Sequence, residues 1–362
     1  MRNFNQKFII EKVLKTVQEE IGKAEFDFHL FNDYFSCNIY SSNTSISDFL
    51  NKYLSPYFQM NSDEMNGDIQ ICIIKIANIV KYEFDFSDCT VVDILKHKNK
   101  DKEIKAYNIC FDKYKVYYII RSGNIIMMNF ENRSIVIIGE RDEELLRDLV
   151  LVIRDSSYIH LVLEGYVQIH AASVVVKDDK AILFVGKSNS GKTTSLLHTI
   201  KDERCELLSN GRVFVKQNDE TITIIGTPEN IGVRKRTLQE FVEFQDFLNA
   251  QKEEVKLGYK DLCSRFHCNI KSRGHLYGIT ITNFGGTINQ LMEEGLFERT
   301  VVNEVVEYSD IKRREWIAFH TVDNIKYDNN AQEIRDLLLK CKNISMTYLE
   351  HDQYKIYKMK DR

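Results

Sequence analysis

An apolar run at residues 181–185 breaks into Gly186-Lys187-Ser188-Asn189-Ser190-Gly191-Lys192-Thr193-Thr194, and the sequence then favours helix to about residue 199. No other part of the chain restricts its fold so tightly. Gly186 and Gly191 can adopt left-handed backbone angles, which lets consecutive backbone N–H groups turn inward as an anion nest. The helix that follows brings its own unpaired N–H groups and positive dipole end to the same point. A junction of this kind sits at the end of a buried strand, so this part of the chain is expected to be α/β. Residues 186–193 fit the Walker A pattern G-x-x-x-x-G-K-[ST] without deviation. Lys192 is expected to reach the β- and γ-phosphates of a nucleoside triphosphate, and the Thr193 hydroxyl to bind Mg²⁺. Nothing resembles the Asn-Lys-x-Asp of guanine-selective proteins, so ATP is the expected nucleotide.

The chain has 362 residues, enough for two domains with separate cores. Hydrophobic residues make up 43% and charged residues 28%, the balance of a globular protein. Forty-nine Lys and Arg against 53 Asp and Glu give a net charge of −4, so no global field favours nucleic acid or an anionic membrane. No apolar run reaches membrane-spanning length, and the apolar residues of the first segment recur at helical spacing broken by Lys and Glu, as expected of an amphipathic helix and not a leader. The eight cysteines are scattered, as expected of reduced thiols in a cytoplasmic protein. A homo-oligomer stays open.

Helical period at residues 5–24 gives way to short β-rich stretches at 37–41, 69–77, 105–111, 115–121, 125–130 and 134–138. Ser122-Gly123-Asn124 reads as a hairpin turn, and residues 49–58 as a short helix. Residues 1–140 are therefore expected to form an α+β domain with a mostly antiparallel sheet. From Arg141 the period is helical again to about residue 167, and the domain junction is placed there. Residues 141–362 then form the nucleotide-binding domain. Strands are expected at 167–176, 180–185, 206–208, 212–216, 221–225, 276–283 and 345–349, and helices at 237–255, 289–294 and 331–340.

The run VQIHAASVVVKDDKAILFVGKSNSGKTTSLL, beginning at Val167, resembles the HPr kinase/phosphorylase-related kinases. In that family a strand with His and small residues, a turn and a second strand lead into the loop; here His170-Ala171-Ala172 begins the match. The likeness extends through residues 145–240. It implies a phosphate-loop kinase domain with a mixed sheet related to phosphoenolpyruvate carboxykinase. The implied reaction is transfer of the ATP γ-phosphoryl group to a hydroxyl of a peptide, protein or small metabolite. By the same resemblance His170 lines the active site, Asn210 lies at the metal and acceptor site, and Arg234 is a γ-phosphate partner. The chain departs from the family at Ser209-Asn210-Gly211, where the family places two Asp residues at the positions of Asn210 and Gly211. An amide oxygen can ligate Mg²⁺ but is a poor base, and Gly211 has no side chain. Two readings follow: a kinase with a substitute base, or a non-catalytic ATP-binding sensor or scaffold. A self-contained ATPase is a third.

Glu229 is a candidate for the missing acid. Cys263, His267 and Cys268 form a metal-like cluster by composition, but adjacent His and Cys suit tetrahedral closure poorly. Lys312-Arg313-Arg314 reads as a solvated basic face.

Overall fold

A computed structural model describes residues 2–22, 24–41, 46–55, 57–76, 89–95, 103–203, 205–219, 221–248, 253–283, 295–350 and 353–358. The fold is mixed α/β. Contacts divide the chain into two units. The first is Met1–Asn51, Phe58–His160 and Ser309–Val322; the second is Lys52–Tyr57, Leu161–Tyr308 and Asp323–Arg362. This division differs from a junction at residue 141. Residues 142–160 stay with the first unit, and a segment from beyond residue 300 returns to it.

The first unit holds strands β1 (Glu25–Phe31), β2 (Ser36–Ser41), β3 (Gln59–Asn61), β4 (Ile69–Lys75), β5 (Thr90–Leu95), β6 (Ile104–Phe111), β7 (Tyr114–Ile119), β8 (Ile125–Asn129) and β9 (Ser134–Gly139). They form one sheet in the order β3-β1-β2-β4-β9-β8-β7-β6-β5. Its pairs are antiparallel apart from β2–β4 and β4–β9, which are parallel. Helix α1 (Arg2–Ile21) covers one face: Ile9, Ile10, Val13 and Val17, at helical spacing, pack with Cys72, Ile74, Val116, Met127, Val136 and Ile138. Alternate strand residues turn the other way. Tyr117 donates its hydroxyl to the Trp316 carbonyl at 2.6 Å, and the Trp316 indole N–H reaches Asp155 at 3.0 Å. Asp155 lies on α3 (Asp142–Leu163), whose first turn carries Asp142, Glu143 and Glu144 where the helix dipole favours anions. The turn read at Ser122-Gly123-Asn124 joins β7 to β8, with Gly123 at φ +74°. The expected helix at 49–58 lies earlier, at Ile46–Leu54 (α2), ending ahead of Pro56 because the residue before proline avoids the helical region.

The second unit holds β10 (Val167–Ile169), β11 (Ala171–Val175), β12 (Lys180–Val185), β13 (Glu206–Asn210), β14 (Val213–Asn218), β15 (Thr221–Gly226), β18 (Arg273–Thr282), β19 (Ile344–Glu350) and β20 (Gln353–Lys358), with β16 (Ile231–Arg234) and β17 (Glu254–Leu257) as a separate ribbon. The main sheet runs β10-β14-β15-β18-β12-β11-β13, and β19 adds to β18 and carries β20. It is mixed: β12 and β19 run parallel to β18, while β11 is antiparallel to both β12 and β13. The single strand expected at 167–176 is two strands broken at His170, because β10 pairs with β14 and β11 with β12 and β13. The helix expected at 237–255 is α5 (Lys235–Glu240), a 3-10 turn Val242–Phe244, α6 (Gln245–Leu248) and strand β17. The break follows from packing: Phe241 and Phe244 both turn inward onto Phe266 of α7 (Tyr259–Phe266), a spacing a 3-10 turn supplies. The expected helix at 289–294 lies outside the described residues. Helices α8 (Leu296–Glu304) and α9 (Asn324–Leu339) complete the unit. Among the described residues no helix is long and apolar enough to cross a membrane.

Candidate functional site

Strand β12 delivers the chain into the glycine loop, and α4 (Lys192–Glu203) carries it away. Gly186 has φ +153°, Asn189 +70° and Gly191 +101°. A Cβ on Gly186 would lie 2.5 Å from Ser190 Oγ and 2.6 Å from both oxygens of Thr282, so the close approach admits no side chain. The Ser190 N–H donates to the Lys187 carbonyl at 3.1 Å, closing the turn. The first hydrogen bond of helical spacing joins Ser195 N–H to the Gly191 carbonyl at 2.8 Å. The amides of Lys192, Thr193 and Thr194 precede it, and such amides are the donors a helix start offers to an anion. Lys187, Ser188 and Asn189 are exposed along the rim.

Four hydroxyls anchor the loop and the start of α4 to four different elements. Ser190 pairs with Thr282 of β18 at 2.6 Å, and Thr193 donates to Asn210 Oδ1 of β13 at 3.1 Å. Thr194 pairs with Thr237 of α5 at 2.8 Å, and Ser195 with Thr347 of β19 at 2.9 Å. The cradle is thus held from every side by short polar contacts, the condition for a preorganised binding site. Thr194 takes part in the loop through its backbone, since its buried hydroxyl points to Thr237.

The Lys192 ammonium donates to the carbonyl of Gly186 and, at 3.2 Å, to that of Lys187, which holds it at the mouth of the loop. Burial lowers its pKa, and the carboxylate of Glu304 opposes that shift. An ammonium partly stripped of water gains most from a polyanion brought beside it. Thr193 Oγ1 and Asn210 Oδ1 are two hard oxygens 3.1 Å apart. Neighbouring oxygen ligands of Mg²⁺ stand about 3 Å apart, so Thr193 and Asn210 are the residues that would hold such an ion if one bound here.

The strand ends meet at this point. Ala171 pairs with Val185 and Ala172 with Asn210, and the Gly211 N–H donates to the Ala171 carbonyl at 3.1 Å. His170, Gly186 and Gly211 are therefore the next residues of three neighbouring chains. The His170 side chain is 45% exposed, and Nδ1 lies 2.8 Å from Oε2 of Glu304. Asn210 is fixed from behind, its N–H donating to the Tyr259 hydroxyl at 3.0 Å, which in turn donates to the Thr227 carbonyl at 3.0 Å. Burial pushes the Tyr259 phenol up to about 12, so it stays protonated as that link.

Other sequence candidates fall around this centre. Arg234 ends β16 and precedes α5, exposed, with no hydrogen bond or ion pair to the loop among the described residues. Glu229 forms an ion pair with Arg212, and its Oε2 lies 3.5 Å from where a Gly211 Cβ would stand. Cys268 Sγ lies 3.2 Å from Cys263 Sγ, and His267 takes a left-handed φ of +51° to end α7. Among the described residues no cluster of three His, Cys, Asp or Glu could hold a metal ion. Glu304 and Thr282 were not singled out from the sequence. Thr282 had a signal, since an apolar strand that turns polar at its last residues suits a neighbour of the loop strand. Glu304 had none, because its partner lies 134 residues away.

No family model matches the chain, and no curated protein matches it. Among solved structures it is similar to the HPr(Ser) kinase/phosphatase from Coxiella burnetii, with a TM-score of 0.22 and 15% sequence identity over 32% of this chain. The chain spans 58% of the length of that kinase/phosphatase, and a likeness of this size does not establish a shared fold.

Proposed function

We propose that the second unit binds Mg-ATP on the loop Gly186–Thr194 and transfers the γ-phosphoryl group to a hydroxyl of a peptide, protein or small metabolite. The observation that carries this is the anchored strand–loop–helix with Lys192 at its mouth and the Thr193–Asn210 oxygen pair beside it. Phosphoryl transfer asks a protein for positioning and charge stabilisation more than for covalent chemistry, and these residues supply both. Mg²⁺, when bound, neutralises charge on the phosphates. Lys192 and the loop amides orient the triphosphate, and Asn210 sets the side from which an acceptor approaches. The sequence resemblance supports a kinase domain of the HPr kinase-like kind. The first unit is the proposed site of acceptor recognition. It carries a cleft of about 430 Å³ where Lys115, Asp93, Trp316 and Phe319 offer charged and aromatic contacts.

A sensor reading has one observation in its favour: Asn210 and Gly211 place no carboxylate on the chain that flanks the loop. Incubating the wild-type protein with γ-labelled ATP, candidate peptides and cell extract separates the two. Label on an acceptor supports transfer. Tight ATP binding with no labelled acceptor and no ADP release rejects it in favour of the sensor.

A further inference from the structure

We propose that the imidazole of His170, oriented by the buried carboxylate of Glu304, is the proton acceptor for the hydroxyl that attacks the γ-phosphate. The inference rests on the phosphotransferase reading above and names the base that the Asn210-Gly211 segment does not provide.

Register places the imidazole. Because Ala171 pairs with Val185, the next residue in each direction is His170 on one chain and Gly186, the first of the loop, on the other. On its second side the chain meets Asn210 and Gly211, the latter with no side chain to fill the space. His170 thus borders the first residue of the loop and the end of β13. It is the ring in this neighbourhood whose surface is half open, with one nitrogen engaged and the other, Nε2, on the far edge.

Glu304 is placed at some cost. It is buried to 8% side-chain exposure and is the last residue of α8, where the helix dipole disfavours an anion. Its backbone is locked as well. The Glu304 carbonyl accepts the His170 N–H at 2.8 Å, Val305 bridges to Ile169, and the Val306 N–H donates to the Gln168 carbonyl at 2.9 Å. These bonds fix the backbones of both residues to one short ladder, which keeps the carboxylate within reach of the ring. A carboxylate that holds Nδ1–H leaves Nε2 as the acceptor and stabilises the imidazolium that forms. The same carboxylate acts through space on Lys192, which links the pair to the phosphate end of the site. Among the described residues, Glu229 is another acid near Gly211, and it is tied to Arg212.

The step balances. The hydroxyl oxygen gives its electron pair to the γ-phosphorus, and the bond from that phosphorus to the β–γ bridging oxygen breaks. ADP leaves with that pair, and the hydroxyl proton passes to His170 Nε2. Glu304 takes no part in the bond changes, and the imidazolium later returns its proton to solvent.

Water can stand in for the acceptor, so the test is ADP release from Mg-ATP by the full chain, with Mg-ATP affinity measured calorimetrically on the same samples. His170→Ala should lower the rate by about 100-fold or more while the affinity stays within about twofold, and added imidazole should restore part of the loss. Glu304→Gln, which keeps the shape and removes the charge, should lower the rate at least about tenfold without altering affinity, and Glu304→Asp should recover part of it. An unchanged rate in His170→Ala overturns the inference. So does a loss that imidazole cannot restore, which would make His170 a positioning residue. Wild-type protein that binds Mg-ATP and releases no ADP also overturns it, leaving nucleotide binding in place. Wild-type protein that binds no Mg-ATP sinks the phosphotransferase reading itself.

Discussion

The two large sheets of this chain solve the same packing problem with opposite endings. In the first unit, β6 to β9 run past one another in unbroken antiparallel register, and Ile135–Ile138 are buried to 4% exposure or less. Apolar side chains of β8 and β9 are buried on both faces. In the second unit β12, β11 and β13 stop on a common line at Val185, Ala171 and Asn210. The register also slips within β11–β13 and within β12–β18. Where strands stop together their backbone groups and next side chains face outward, and the loop, His170 and Asn210 occupy that line. A continuous sheet makes a core; a sheet whose strands end together makes a place for chemistry.

The contrast is sharpest at Gly186. Gly186→Ala puts a methyl group into Ser190 and Thr282 at a left-handed φ, so the loop must shift. Triphosphate affinity should fall at least about 100-fold, near 3 kcal/mol, with a smaller loss of stability, about 1–2 kcal/mol, from the strained loop. Ile138→Ala in the first sheet should do the reverse. It empties space between β9 and α1 and should cost about 2–5 kcal/mol of stability in denaturant titration, with nucleotide affinity unchanged. Affinity that follows Ile138→Ala, or stability that collapses in Gly186→Ala, would break the division of labour between the sheets.

A smaller effect concerns a buried charge in the first unit. Burial raises the Asp148 carboxyl above its ordinary value, against hydrogen bonds from Ser122 and Asn124 that favour the charged form. The folded chain then keeps this proton at pH values where the unfolded chain has lost it. The stability contributed by this group therefore falls as pH rises from near 4 through the raised folded value. Asp148→Asn removes the ionisation, so its melting temperature should depend less steeply on pH over that window. A slope equal to wild type would show that Asp148 ionises in the folded state as easily as in the unfolded one.

The legible parts of this chain were the local ones. Residues 186–193 carry their loop in the spelling, and apolar alternation marked β4, β6, β7, β8 and β9 to within two residues. Strand β1 was hidden because Glu25-Phe26-Asp27-Phe28-His29 mixes polar residues into a strand that pairs on both sides. The stretch 237–255 has helical spacing that tertiary packing of Phe241 and Phe244 overrides. The break at His170 was invisible because Val, Ile and Ala dominate residues 167–175 on both sides of it; only partner choice, β14 for one half and β12 for the other, divides it. The Thr193–Asn210 contact could be anticipated from a strand following the loop helix. The His170–Glu304 contact could not, because no periodicity connects residues so far apart.

Lys192 is the proposed counter-charge of a triphosphate cradle at the end of the second sheet. Calorimetric titration of wild type and Lys192→Ala with an ATP analogue and Mg²⁺ tests it most directly. The account predicts one site in wild type and at least a 100-fold loss of affinity, roughly 3 kcal/mol, in the variant. Equal affinity in the two proteins would contradict it.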